Sequence, residues 1–308
     1  MTRPLPRLFA AATAAIVLAA ACPGLAAAGK AKRPAPGKTI LYKTAKNAKG
    51  NPAPLRLHAF FPEGHQASDK RPAIVFFFGG GWTGGSPSQF YPQAAYLASR
   101  GMVALAAEYR VEKQHGTPPK ACVADGKSAV RYVRAHAGEL GVDPKRVAAG
   151  GGSAGGHVAA ATATVQGFDD PDDDTAASAV PDALVLFNPV YDNGPDGYGH
   201  DRLGDEWRQL SPAHNIRKGI PPAIVFLGTE DNLIPVATAK AFQAAMRGVH
   251  SRSELVLFEG EGHGFFNFGR GGNVAYAKTV RAMDAFLASL GWLEGKPTIE
   301  VPAKAAGR

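Results

Sequence analysis

The stretch from Gly150 to Gly156 reads GGGSAGG, one serine among five glycines and one alanine, directly after the apolar run Val147–Ala149. Residues 151–155 fit G-x-S-x-G, the pattern of a serine held on a sharp turn between a strand and a helix. Side chains two positions either side would crowd such a turn, and the following helix N-terminus favours developing negative charge. On its own the pentapeptide fits an ordinary glycine-rich strand end equally well, so its partners decide. A serine hydroxyl becomes a good nucleophile when a histidine takes its proton and a carboxylate orients that histidine. Both follow at strand ends: Asp231 in GTEDN after the apolar run Ala223–Leu227, and His263 in GEGHG after Glu254–Phe258. The chemistry expected of Ser153, Asp231 and His263, in that chain order, is acyl transfer. Glu230, Glu259 and Glu261 are rival acids, and Asp231 fits the strand-end position best.

A tetrahedral intermediate needs hydrogen-bond donors aimed at its oxygen. Gly79-Gly80-Gly81 follows the predicted strand Ala73–Phe78, and its N–H groups are unshielded by side chains. Gly80, Gly81 and Ala154 are therefore the expected oxyanion hole, with Trp82, Phe265, Phe90 and Tyr91 as pocket walls. His157, one turn after Ser153, reads as a packing residue or a cap. The remaining seven histidines read as structural or solvated. Cys122 reads as a packed helix residue.

These groups need a scaffold that brings distant strand ends to one edge. Short β-branched or aromatic runs alternate with longer Ala-rich stretches of helical period, which predicts a mostly parallel central sheet flanked by helices on both faces. The predicted strands are 73–78, 103–108, 147–150, 183–187, 223–227 and 254–258, with 55–61 as an antiparallel edge strand. The predicted helices are 119–137, 156–165, 235–247 and 274–290. Two irregular stretches, 166–181 and 191–216, are too short for a large cap domain. The acids Asp169, Asp170, Asp172, Asp173 and Asp174 lack the glycine and distal glutamate of a helix-loop-helix calcium site and read as a solvated loop, so no metal site is expected.

With 308 residues and 45% hydrophobic content, the chain can build one large core. Residues 1–28 carry Arg3 and Arg7, an apolar run over 8–21 and small residues before position 29, the layout of a secretory signal peptide. That run is shorter than the roughly 20 residues a membrane span needs. The expectation is a secreted or periplasmic protein, with lipid attachment at Cys22 the weaker alternative. The first 49 residues hold nine Lys or Arg and no acid, so the chain's +8 leaves −1 for the rest. The charge therefore belongs to a Lys/Ala/Pro-rich linker at 29–50, and no nucleic-acid partner is expected. A catalytic domain is placed at 51–295 and a tail at 296–308.

Over roughly residues 55–292 the chain resembles the α/β-hydrolase superfamily, and within it the esterases and lipases related to hormone-sensitive lipase and bacterial acetyl esterases. The resemblance rests on GGGW at 79–82, EYR at 108–110, GVDPKRVAAGGGSAGGH at 141–157, GTEDNLIP at 228–235 and GHGFFN at 262–267. It implies the α/β-hydrolase fold and a serine carboxylic-ester hydrolase that uses no cofactor. The substrates expected are short acyl esters, acetyl above all, on small molecules or polysaccharides. Relatives of hormone-sensitive lipase carry a histidine before the three glycines; Phe78 stands there, implying a loop held by packing and an altered selectivity. A prolyl-oligopeptidase-like serine peptidase, which shares the serine motif and residue order, is the alternative reading, disfavoured by the lack of a propeller-sized N-terminal domain. A non-catalytic carbohydrate-binding scaffold on this fold would have no need of Ser, Asp and His together. Oligomeric state is not legible.

Overall fold

In the computed structural model, Met1, Thr2 and residues 33–303 are described; the expected signal peptide, including Cys22, lies outside them. The chain divides into Met1–Ala31 and Lys32–Arg308, and the elements given below lie in the second unit.

Eight strands form one sheet in the order β1-β2-β4-β3-β5-β6-β7-β8. They are β1 (Lys38–Lys46), β2 (Pro52–Phe60), β3 (Arg71–Phe77), β4 (Val103–Ala107), β5 (Val142–Gly152), β6 (Ala183–Phe187), β7 (Ala223–Gly228) and β8 (Ser253–Phe258). All neighbouring pairs from β4 to β8 run parallel, while β1 and β2 add antiparallel partners at one side. The helices are α1 (Tyr91–Ser99), α2 (Glu112–His115), α3 (Pro119–Ala135), α4 (Ala154–Thr164), α5 (His200–Leu203), α6 (Trp207–Leu210), α7 (Val236–Gly248) and α8 (Val274–Ser289).

Strand side chains alternate between two cores, because successive residues point to opposite faces. Ala73, Val75 and Phe77 join Val130 of α3, Val158 of α4 and Phe242 of α7. Ile74 and Phe76 join Leu97 of α1 and Phe286 of α8. Burial on both faces is why β3, β4, β6 and β7 read as unbroken apolar runs.

The winding reverses at β3. The chain passes from β3 to β4 on one side and returns to β5 on the other, leaving a crevice at the carboxyl ends, where ligands bind in open α/β sheets. Phe77 pairs with Gly151 across β3 and β5, so the glycine run after β3 and the serine turn after β5 emerge side by side.

Several expected boundaries require correction. Lys38–Lys46, read as linker, is the edge strand β1, and β2 lies inside it instead of forming the edge. Lys43 is tied to Asp125 at 3.0 Å and to Asp170 at 2.5 Å, so part of the basic segment's charge is consumed internally. Nor is the acidic stretch simply solvated: Arg131 holds Asp169 at 2.6 Å and Asp173 at 2.9 Å. Helix α1 has no counterpart among the predicted helices. The stretch after residue 295 is partly docked, since Thr298 N–H donates to the Tyr96 hydroxyl and Ile299 and Val301 pack on the core.

Candidate active site

Ser153 sits between β5 and α4 with φ 55° and ψ −123°, a conformation that costs a non-glycine residue of order 1–3 kcal/mol and survives only where the surroundings enforce it. The neighbouring glycines are the enforcement. A Cβ on Gly155 would lie 2.1 Å from the Phe77 carbonyl oxygen and 2.3 Å from that of Phe78; one on Gly151 would lie 2.3 Å from the Gly155 carbonyl. The bareness of GGGSAGG thus reflects backbone packed directly on backbone.

The structure brings Ser153, Asp231 and His263 together. His263 Nε2 lies 2.9 Å from Ser153 Oγ, and its Nδ1 lies 2.8 Å from Asp231 Oδ2. The other Asp231 oxygen accepts the N–H groups of Leu233 at 2.9 Å and Ile234 at 3.0 Å. Burial pushes this carboxyl up, but the His263 contact and the two backbone donors outweigh it and hold the group below the usual carboxylate range. Asp231 is therefore anionic and fixed, and accepts a hydrogen bond from His263 Nδ1–H. Of the rival acids, Glu230 and Glu259 are exposed and Glu261 is half-buried, and none of the three contacts the His263 ring.

Asn188, at the end of β6, carries no motif in the sequence. It is fully buried with φ 31°; its Oδ1 accepts from Gly264 N–H at 3.1 Å, and its Nδ2 faces His263 Nε2 at 3.3 Å. Only its place at a strand end facing the site, after LVLF, could have marked it.

The loop after β3 lies over the serine: a Cβ on Gly79 would stand 2.9 Å from the Gly152 carbonyl and 3.2 Å from Ser153 Cβ. Gly79 N–H is taken by Gln89 Oε1 at 2.6 Å. The N–H groups of Gly80, Gly81 and Ala154 have no protein acceptor among the described residues, which leaves them free to bind an oxyanion. Phe78 stacks on Tyr109 with centroids 4.2 Å apart, and the Tyr109 hydroxyl donates to the Phe78 carbonyl at 2.5 Å. Arg202 of α5 donates to the Gly81 carbonyl. Packing at Phe78 is thus joined by hydrogen bonds that the sequence did not reveal.

Three of the four expected pocket walls are corrected, and the fourth, Tyr91, is half-buried with its hydroxyl 2.9 Å from His58 Nδ1. Trp82 is fully buried, edge-on to His157 at 5.1 Å and beneath Arg202; Phe265 is 3% exposed and packs on Phe258; Phe90 is fully buried against Phe76. Large aromatic rings beside the glycine loops fill the core beneath the site instead of facing substrate. A cavity of about 350 Å³ does lie between the acid loop and the segment before β7, lined by Asp192, Asp196, Tyr198, His214, Leu233 and Ile234. The Tyr198 hydroxyl would be 3.0 Å from a Cβ on Gly81, which sets this cavity against the oxyanion loop.

His157 is buried, and its Nε2 lies 2.9 Å from the Leu210 carbonyl; burial pushes its pKa down to about 4. The Cys122 thiol, raised by burial, donates to the Arg110 carbonyl at 3.1 Å. No group of three or more potential metal ligands is present among the described residues.

Residues 58–186 match the family model described as BD-FAE. The chain is 31% identical over 219 residues to esterase LipC of Mycobacterium tuberculosis, covering 63% of this chain and 53% of LipC. It is 26% identical over 238 residues to endo-1,4-beta-xylanase B of Butyrivibrio fibrisolvens, covering 71% of this chain and 37% of that protein. The chain spans about half or less of the length of these curated relatives. Apo esterase 2 of Thermogutta terrifontis is 48% identical with a TM-score of 0.81, covering 86% of this chain and 98% of that one; its propionate-bound form is 48% identical with a TM-score of 0.79, covering 84% and 96%. A reversed parallel sheet, a serine turn of this geometry and a near-full-length likeness at almost half identity lead to one conclusion: the chain belongs to the α/β-hydrolase family of esterases and lipases.

Proposed function

We propose that this protein is a serine hydrolase of carboxylic esters. The observation that carries the reading is the continuous contact from Ser153 Oγ through His263 to Asp231, at 2.9 and 2.8 Å, beneath free backbone donors. His263 Nε2 takes the hydroxyl proton as Oγ attacks the ester carbonyl, while Nδ1–H stays bound to Asp231, which stabilises the imidazolium. The N–H groups of Gly80, Gly81 and Ala154 receive the carbonyl oxygen as it gains charge. The imidazolium then protonates the departing alcohol. A water, deprotonated by the same nitrogen, attacks the acyl-serine and regenerates Ser153.

The preferred acyl group is short, from acetyl to butyryl. Support comes from esterase 2 of Thermogutta terrifontis, seen with propionate and with butyrate bound. The alcohol side is a carbohydrate. The cavity beside the acid loop offers Asp192, Asp196, the Tyr198 hydroxyl and His214, a set suited to hydroxyl groups, and one relative is named as a xylanase. An extracytoplasmic location follows from residues 1–28 alone.

The test is hydrolysis of p-nitrophenyl esters from acetate to decanoate and of acetylated xylan, by wild type beside Ser153→Ala. Activity confined to short chains and lost in the variant is expected. A preference for decanoate would overturn the acyl assignment, and release of acetate from small esters but not from xylan would overturn the carbohydrate.

A further inference from the structure

The oxyanion loop and the histidine loop are far apart in the sequence, yet one chain of side-chain amides joins them. Gly79 N–H donates to Gln89 Oε1 at 2.6 Å, Gln89 Nε2 donates to Asn267 Oδ1 at 2.9 Å, and Asn267 Nδ2 donates to the Gly264 carbonyl at 2.8 Å. Gly264 N–H in turn donates to Asn188 Oδ1 at 3.1 Å, and Asn188 Nδ2 faces His263 Nε2. The direction of every bond is fixed by its ends. A backbone N–H can only donate and a carbonyl can only accept, so each amide has one orientation that satisfies both neighbours.

Both amide residues are held by what lies next to them in the chain. Gln89 precedes Phe90 and Asn267 follows Phe266, and these two buried rings stack with centroids 5.6 Å apart at 21°. Gln89 stands on the single turn Pro87–Phe90, whose first residues are held by the Ser86 hydroxyl accepting from Ser88 N–H. The aromatic stack sets the separation of the two loops but not their rotation. The amide chain fixes rotation, because hydrogen bonds demand alignment that stacking does not.

We infer that Gln89 and Asn267 are positioning residues for the reaction, a strut that sets the oxyanion donors against the general base. The inference rests on Ser153 being the nucleophile. Gln89 takes up the Gly79 N–H, so the peptide is turned to leave Gly80 and Gly81 N–H free. Asn267 carries that alignment to the loop bearing His263. A small rotation of the donors weakens their grip on the transition state more than on the bound ester.

The experiment compares Gln89→Ala, Asn267→Ala, the double variant and Gln89→Glu with wild type. It measures kcat and KM on p-nitrophenyl butyrate, the labelling rate with a fluorophosphonate, inhibition by a trifluoromethyl ketone, and Tm. For Gln89→Ala, kcat falls about 10- to 30-fold with KM within about twofold; labelling and trifluoromethyl ketone affinity fall in parallel, and the double variant is within about threefold of the worse single. Gln89→Glu keeps the acceptor for Gly79 but loses the donor to Asn267, and retains more activity than Gln89→Ala; it decides the question if the alanine variants do not fold. Wild-type kcat in Gln89→Ala, losses that multiply in the double variant, or losses that follow Tm alone overturn the strut. A wild type that labels but hydrolyses no ester overturns the ester reading and leaves the strut to be read from labelling rates. One that does neither overturns both.

Discussion

The serine turn and the oxyanion loop sit side by side at the carboxyl ends of β5 and β3 and are both glycine-rich with backbone packed on backbone, but they differ in what else holds them. The turn is locked by backbone on backbone, with Gly155 against the Phe77 and Phe78 carbonyls and no polar side chain involved. The loop has such contacts too, a Cβ on Gly80 standing 2.1 Å from the Gly84 carbonyl oxygen and one on Gly85 2.3 Å from that of Gly79, but it is also held by side chains of separate segments: Gln89 on the Gly79 N–H, Tyr109 on the Phe78 carbonyl and ring, and Arg202 on the Gly81 carbonyl. A turn that holds a strained nucleophile through both half-reactions is best built from contacts that cannot rotate. A loop that must present donors to a changing oxygen is tuned by groups that can be adjusted one at a time.

Four experiments break or sharpen that contrast. Ser153→Ala removes the one reactive group the turn presents, and kcat on p-nitrophenyl acetate should fall about 10⁶-fold with KM little changed; a loss under a hundredfold would place the chemistry elsewhere. Gly155→Ala forces a Cβ to 2.1 Å from a carbonyl oxygen, and should cost more than about 3 kcal/mol or prevent folding. Its control in the loop is Gly84→Ala, with nothing within 4 Å of the added Cβ, which should stay within about 0.5 kcal/mol of wild type in urea unfolding. Equal losses would show that the two regions are equally rigid.

The junction between them is His157, which starts from the turn's helix, meets Trp82 of the loop and bonds the Leu210 carbonyl. It is neutral in the fold with a pKa of about 4, against about 6.5 unfolded. The unfolded state therefore binds the extra proton. Stability from this residue is full above pH ~6.5 and is lost as pH falls toward 4, by up to about 3 kcal/mol. Tm measured from about pH 7.5 to 4.5 should fall less steeply in His157→Gln; identical slopes would assign acid sensitivity elsewhere. The smallest loss of function is expected of Arg202→Ala. It frees the Gly81 carbonyl and removes the contacts to Thr83 and Glu112, and should lower kcat about tenfold on p-nitrophenyl butyrate. An unchanged kcat would mean that Phe78 and Trp82 packing suffices to hold the loop.

The strand ends bearing Ser153 and Asp231 are legible because strands buried on both faces read as apolar runs, while β8, the half-exposed edge strand before His263, is legible from the run LVLF and the glycines that follow it. The same logic failed at β1. KTILYKTAK is a half-exposed edge strand whose lysines read as linker until Asp125 and Asp170 appear beside Lys43. It also failed at Trp82 and Phe265: sequence proximity to a glycine loop says nothing of which way a ring turns, and both rings turn inward.

What the sequence by itself determined is local: strand and helix periods, the glycines a strained turn requires, and the order of three reactive residues. Those depend on groups within a few positions of one another. What only the tertiary structure decided is which distant polar groups meet: Asn188 with His263, Gln89 with both Gly79 and Asn267, and Arg202 with Gly81. Such pairs span from 10 to 178 residues of chain, and a hydrogen bond of that reach leaves no periodic trace, since its partners are fixed by sheet order and loop path.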